Sequence, residues 1–179
     1  THQGLPLYED VREKIWTSAF VHADETSWRN AGLGHYAWYA GNKDLAFFHI
    51  DRHRSAAVAE SIFGKDFKGV LVRDRYAAYN KIGRDWQACL AHISRNAKDI
   101  SKEHALLPPA DQDPNVEVFT SGIRGICSDL CDIGRKRKSG ELSHEKVATL
   151  EKKYSGRLSR ICKKKLSFKP AVTLRKFLI

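Results

Sequence analysis

Between residues 19 and 76 the chain sets out an order of elements that few folds accommodate. Three segments have strand character: 19–27, GHYAWYAG at 34–41 and LAFFHID at 45–51. The links NAGLG and GNKD carry Gly and Asn, the residues of tight turns. Links this short join antiparallel neighbours, so the three segments predict a meander. SAAVAESIFG at 55–64 reads as a helix, with Ser55 as N-cap and Gly64 as C-terminal stop. KGVLVRDRY at 68–76 follows, its VLV the mark of a buried strand, with Asp74 at the carboxyl end. Strand, helix, strand is a crossover, normally right-handed. It can lay the fourth strand parallel to the first and beside it. DWQACLA at 85–91 predicts a fifth strand, HISRNAKDISKEHA the helix after it, and LPLYEDVREKIW at 5–16 a short leading helix. The expected class is α/β, a mixed five-stranded sheet flanked by helices.

The character changes after LPPADQDPN at 107–115, a Pro- and Asp-rich stretch. Beyond it the apolar residues recur at helical spacing: Phe119, Ile123, Ile126/Cys127 and Leu130, then Val147, Leu150, Tyr154, Leu158 and Ile161. Two antiparallel helices are expected, with GRKRKSGELSHE as the turn between them. Charge divides at the same place. Residues 1–119 hold 15 Lys and Arg against 16 Asp and Glu, and residues 120–179 hold 16 against 5. A basic excess confined to one third suggests a polyanion, most often nucleic acid; a solvated helical face is the plainer alternative. No apolar run approaches the roughly 18 residues that span a bilayer, and no signal peptide opens the chain. Cys89, Cys127, Cys131 and Cys162 lack the spacing of a disulfide scaffold and are expected as reduced thiols. The first residue is Thr and Met is absent, which marks the chain as an expected fragment of a longer protein.

Within VHADETSW (21–28), Asp24 and Glu25 interrupt a strand, where acidic residues are depleted. If the first and fourth strands are neighbours, Asp24 and Asp74 converge at one edge of the sheet, near the carboxyl ends where such folds collect their sites. Two adjacent carboxylates repel unless a cation lies between them. Hard oxygen donors suit Mg²⁺ or Mn²⁺, and a pair of such ions supports phosphoryl transfer on nucleic acid. The bland reading pairs Asp24 with a neighbouring Arg and lets Asp74 end its strand by turn bonding.

HADETSWR, FKGVLVRDRYAAYN and QACLAHISR, in this order and spacing, resemble the transposases of the insertion-sequence-66 family, bacterial enzymes of the ribonuclease-H-like DDE type. The likeness is clear over about residues 18–100 and looser beyond. It implies a ribonuclease-H-like core and metal-dependent cutting and joining of DNA, with transposon ends and target as partners. No small-molecule substrate and no membrane are implied. A homo-oligomer on DNA and a cytoplasmic, nucleoid-associated location are implied. By position Asp24 matches the first catalytic acid and Asp74 the second. The third is a Glu in a block similar to NNHAER, which this sequence lacks; it ends at LRKFLI. Glu141, Glu145 and Glu151 have no matching motif. The resemblance divides the chain into an incomplete core (1–106), a linker (107–116), a basic helical insertion (117–169) and the start of a return to the core (170–179). Arg75 departs from the Gly frequent in the family.

Cys89 and His92 form a C-x-x-H pair that the family shares; His92 is a candidate support for the metal site, or a helix-capping His behind a buried Cys. Zinc is disfavoured, because Cys127 and Cys131 are i, i+4 on an amphipathic helix and read as core thiols. Trp28, Tyr36, Trp38 and Tyr39 are expected to pack the sheet rather than stack on bases, and His22 shares a face with Asp24. Glu25 is expected to point away from Asp24. The candidate DNA contacts are Arg135, Lys136, Arg137 and Lys138 in the basic turn, and Lys152, Lys153, Arg157, Arg160, Lys163, Lys164 and Lys165 on one helical face. Two rivals stay open: a non-catalytic nucleic-acid-binding module of the same fold, and a ribonuclease-H-like nuclease that cleaves without joining.

Overall fold

A computed structural model describes residues 4–179. The chain divides into two compact units, residues 1–89 and 90–179. The first begins with α1 (Leu5–Trp16), whose Pro6 occupies the first turn, where its missing N–H leaves nothing unsatisfied. The meander follows as β1 (Phe20–Asn30), β2 (Leu33–Gly41) and β3 (Ala46–Asp51). Asn30 pairs with Leu33, so the first hairpin turns on Ala31 and Gly32 alone. Their φ values of 49° and 78° are the positive pair that matches the twist of two-residue hairpins. Then come α2 (Ala56–Phe63), β4 (Val70–Arg73) and β5 (Trp86–Ala88). Ser55 caps α2 by accepting the Val58 amide at 3.5 Å, and Gly64 ends it at φ 71°.

The sheet order is β3-β2-β1-β4-β5. β1 is antiparallel to β2 and parallel to β4, and β5 is parallel to β4. The crossover through α2 therefore places β4 where the sequence requires it. Gly69 makes the approach possible: a Cβ there would overlap the carbonyl oxygens of Ser18 and Ala19 at the start of β1. One face of the sheet carries the core of this unit. Val21, Ala23, Trp38, Ala40, Phe47 and Leu71 pack with Val58, Ile62 and Phe63 of α2 and Ile15 of α1. Tyr79, in a 3-10 turn at Ala77–Lys81, closes the core with its ring edge against Trp38 and Phe63.

The second unit is helical: α3 (Leu90–Ala105), α4 (Pro114–Lys138), α5 (His144–Cys162) and α6 (Lys169–Leu178). Ile93, Ala97 and Ile100 of α3, Val116, Phe119, Ile123 and Ile126 of α4, and Ala171 and Leu174 of α6 are buried. The stretch 107–116 lies inside this unit, and Asp113 organises it. Its Oδ1 caps α4 by accepting the Asn115 amide at 2.9 Å, and its Oδ2 accepts the amide and hydroxyl of Ser167 at 2.8 and 2.9 Å. Its own amide donates to His104 Nε2 at 2.8 Å. The Ser167 amide first, with Asn115 behind it, holds the Asp113 carboxyl below its usual range.

Three local expectations are corrected. Arg135–Lys138 are the last turn of α4, not a loop, and the turn is confined to 139–143. Arg and Lys are good helix formers and are favoured at the negative helix end, so the helix runs on until Gly140, at φ 80°. β5 is only three residues long; the Cys89 amide closes its ladder on the Arg73 carbonyl at 2.8 Å, and Leu90 already begins α3. Cys127 is buried, and burial raises its thiol to about 11, but Cys131 is exposed rather than a core thiol.

Candidate active site

The two aspartates are positioned by register. In the parallel pair the last partners are His22 and Val72. Asp24 stands two residues beyond His22, midway along β1, and Asp74 two beyond Val72, just past the end of β4, so the register carried two residues further sets them side by side. Such strands run about 4.8 Å apart. β4 ends at Arg73, which frees Asp74 from the ladder, while β1 continues past Asp24. Along β1, Val21 and Ala23 are buried in the core, whereas His22 and Asp24 are exposed on the other face.

Asp24 lines a cleft of about 190 Å³ with Glu25, Thr26, Ala37, Tyr39 and Phe48. Asp24 pairs with Tyr39 across β2, and Tyr39 with Phe48 across β3. The rings of Tyr39 and Phe48 lie 5.3 Å apart, and Phe48 is 61% exposed. The aromatic candidates thus divide. Trp38 is core, at 1% exposure, Tyr36 packs against the core edge, and Trp28 is exposed.

Asp74 is held by its turn. Its Oδ1 accepts the Tyr76 amide at 2.8 Å, the turn bonding that the bland reading foresaw. Arg73, only 5% exposed, secures the same turn from behind. It donates to the carbonyls of Asp74 and Tyr76 at 3.2 and 3.4 Å and to Asn80 Oδ1 at 3.0 Å. Its guanidinium lies 4.3 Å over the Trp86 ring. Arg75 is exposed, and its backbone is outside the left-handed region, so the turn accepts a side chain there without strain.

Glu25 does point away from Asp24, and its side chain is 2% exposed. Arg54 donates to its Oε1 from Nε at 3.0 Å and Nη2 at 2.5 Å, and the Tyr79 hydroxyl donates to Oε2 at 2.5 Å. Burial first, then the bond to Glu25, pushes the Tyr79 hydroxyl far above its ordinary value; the charges of Glu25, Asp74 and Asp24 add to the shift. Both aspartates therefore act electrostatically on one buried hydroxyl. The Arg54 guanidinium is shifted up, chiefly by its bonds to Glu25 and further by the charge of Asp74.

As a donor set, Asp24 and Asp74 fit an oxygen-preferring divalent cation with two carboxylates at one sheet edge. Among the described residues, no group of three or more His, Cys, Asp or Glu side chains is arranged to hold a metal ion. His92 lies in the first turn of α3, in the second unit, and Cys89 is a partly buried free thiol at the end of the first.

The basic residues also divide. Lys136, Arg137 and Lys138 are exposed at the end of α4, and Lys152, Lys153, Arg160, Lys163 and Lys165 are exposed along and just after α5. Arg157 is bound to Asp129 at 2.8 Å, Arg135 is bound to Asp132, and Lys164 is half-buried. An open cleft of about 530 Å³ in the second unit is lined by Ser94, Ser121, Arg124, Gly125 and Ser128. Arg124, Arg54, Arg73, Tyr76 and Tyr79 were not foreseen as site residues. For Arg124, the spacing of Ser121, Arg124 and Ser128 on one helical face was the available signal. The others come together only through tertiary contacts.

A scan against protein families matches the model described as Transposase IS66 family over residues 2–176. No curated protein and no solved structure matches the chain. With 2–176 of 179 residues matched, the chain belongs to the IS66 family of transposases.

Proposed function

We propose that this chain carries catalytic residues of a DNA transposase that cleaves phosphodiester bonds at transposon ends and joins them to target DNA. The observation that carries this reading is the parallel β1–β4 register, whose last pair, His22 and Val72, stands two residues before Asp24 and Asp74. Their carboxylates would hold Mg²⁺ or Mn²⁺, which would offset their mutual repulsion and supply Lewis-acid chemistry toward a water or 3′-hydroxyl. The family resemblance implies a third carboxylate, a Glu, for the same set. His92 supports the site from the start of α3. The exposed cleft beside Asp24 receives the DNA strand. Lys136–Lys138, the Lys and Arg residues of the α5 face and Arg124 neutralise backbone phosphates, releasing counterions as they do so. The protein works on DNA as a homo-oligomer, near the nucleoid; no helix among the described residues is long and apolar enough to cross a membrane.

The test is nicking of transposon-end DNA by the full-length protein with Mg²⁺ or Mn²⁺. Asp24→Asn and Asp74→Asn each remove several kcal/mol of transition-state stabilisation, a loss on the order of 10³-fold. Full activity in either variant would overturn the assignment. One rival is a DNA-binding module without chemistry. That rival predicts binding but no metal-dependent nicking by the full-length protein. Nicking without strand-transfer products would instead indicate a nuclease.

A further inference from the structure

We propose that Glu25 and Arg54 are positioning residues for Asp74: a buried carboxylate and its arginine that fix the second metal-binding aspartate through Tyr76. The inference rests on the metal-site reading above. Glu25 sits next to Asp24 in the chain yet belongs to the opposite face of β1, where both of its oxygens are engaged by Arg54 and Tyr79. Arg54 is thereby anchored across the end of the sheet, and its guanidinium lies 3.9 Å over the ring of Tyr76. The Tyr76 hydroxyl returns a hydrogen bond of 2.6 Å to the Arg54 carbonyl, so ring and arginine hold each other at two points. Tyr79 braces the same ring edge-on, with centroids 6.0 Å apart and planes at 87°. The amide of this fixed tyrosine is the donor to Asp74 Oδ1. The bonds thus run without a break from Glu25 through Arg54 and Tyr76 to Asp74.

The side chain of Glu25 is buried but that of Arg54 is 43% exposed; a fold in need only of a filled core would be served as well by an apolar side chain at position 25. Here the ion pair is joined to one particular turn, the one that carries Asp74. Partners that orient a metal ligand in this way commonly change metal affinity by about 10–100-fold when removed.

The experiment measures two quantities on the full chain: Mn²⁺ affinity by calorimetry, and hydrogen exchange of the Tyr76 amide without metal. Arg54→Gln should weaken Mn²⁺ binding about tenfold. It should also speed exchange of the Tyr76 amide, while the amides of Val21 and Leu71 in the sheet core stay protected. Arg54→Lys should rescue little, because an ammonium reproduces neither the two-donor contact nor the stacking. Tyr76→Phe keeps the ring and loses one bond, so its effect should be smaller and in the same direction. Asp74→Asn is the control. If it removes Mn²⁺ binding while Arg54→Gln changes neither readout, the positioning role is overturned and the metal reading stands. If Asp74→Asn leaves Mn²⁺ binding intact, the metal reading fails, and the role proposed for Glu25 and Arg54 fails with it. Should Arg54→Gln expose the core amides as well, Tyr76→Phe decides: normal exchange at Tyr76 and normal affinity would overturn the proposal.

Discussion

The two units of this chain use charge differently. In the first, two charged groups are buried around the turn of Asp74, while pairs such as Lys14–Asp10 and Lys43–Asp44 stay at its surface. Glu25 is buried against Arg54 and Tyr79, and Arg73 is buried against the carbonyls of the turn that holds Asp74. In the second, Lys and Arg stay at the surface along α4 and α5, and the ion pairs Arg157–Asp129 and Arg135–Asp132 are solvent-accessible. An inward network fixes geometry, because a buried charge tolerates few positions. A surface array fixes little and acts through its sum, as a polyanion requires. Geometry is what the proposed metal site needs, and summed charge is what the proposed grip on DNA needs.

The comparison can be broken first at the catalytic level, by the aspartate substitutions described above. Next in size is the core beneath the inward network. Trp38 is 1% exposed and touches both Tyr76 and Tyr79. Trp38→Ala should destabilise the protein by about 3–5 kcal/mol, read as a lower midpoint of urea unfolding. Retention of wild-type stability would show that the network does not depend on its apolar support. In the second unit, replacing Lys152, Lys153, Arg160 and Lys163 together by Ala should leave stability nearly unchanged. The slope of log affinity for duplex DNA against log salt should fall by about 0.9 for each lost phosphate contact. An unchanged slope would remove the α5 face from the DNA interface. The smallest effect belongs to Asp113, the residue of the second unit that most resembles the first in its bonding. Asp113→Ala should cost about 1 kcal/mol through the lost cap. Because the folded carboxyl titrates below its unfolded value near 3.9, its contribution is present above that pH and is lost as pH falls through the folded value. The difference between wild type and Asp113→Ala should therefore shrink in acid; a difference constant down to pH 2 would contradict the bonding described here.

Much of the fold could be read before the structure was known. The strands of the meander, the capped helix after them and the parallel return of β4 all follow from local signals: alternation, turn residues, a Ser cap and one crossover rule. The end of α4 is less legible, since Gly134 and a run of cations resemble a loop, although Arg and Lys extend a helix and suit its C-terminal end. Asp24 and Asp74 were legible as a pair, but their common level depends on the β1–β4 register, and that depends on how closely Gly69 lets the strands approach.

Glu25 marks the boundary between the two kinds of information. The period of two in a strand was enough to say that it faces away from Asp24. What it faces was not available, because Arg54 lies 29 residues further along the chain and Tyr79 lies 54. Sequence by itself determined the order of elements, the family likeness and the basic third, because these arise from neighbouring residues and from composition. Only the tertiary structure decided which carboxylate is exposed beside a cleft and which is locked to an arginine behind it. Those outcomes follow from packing between segments that are remote in the chain, where burial leaves a charged group stable only if a partner is already in place.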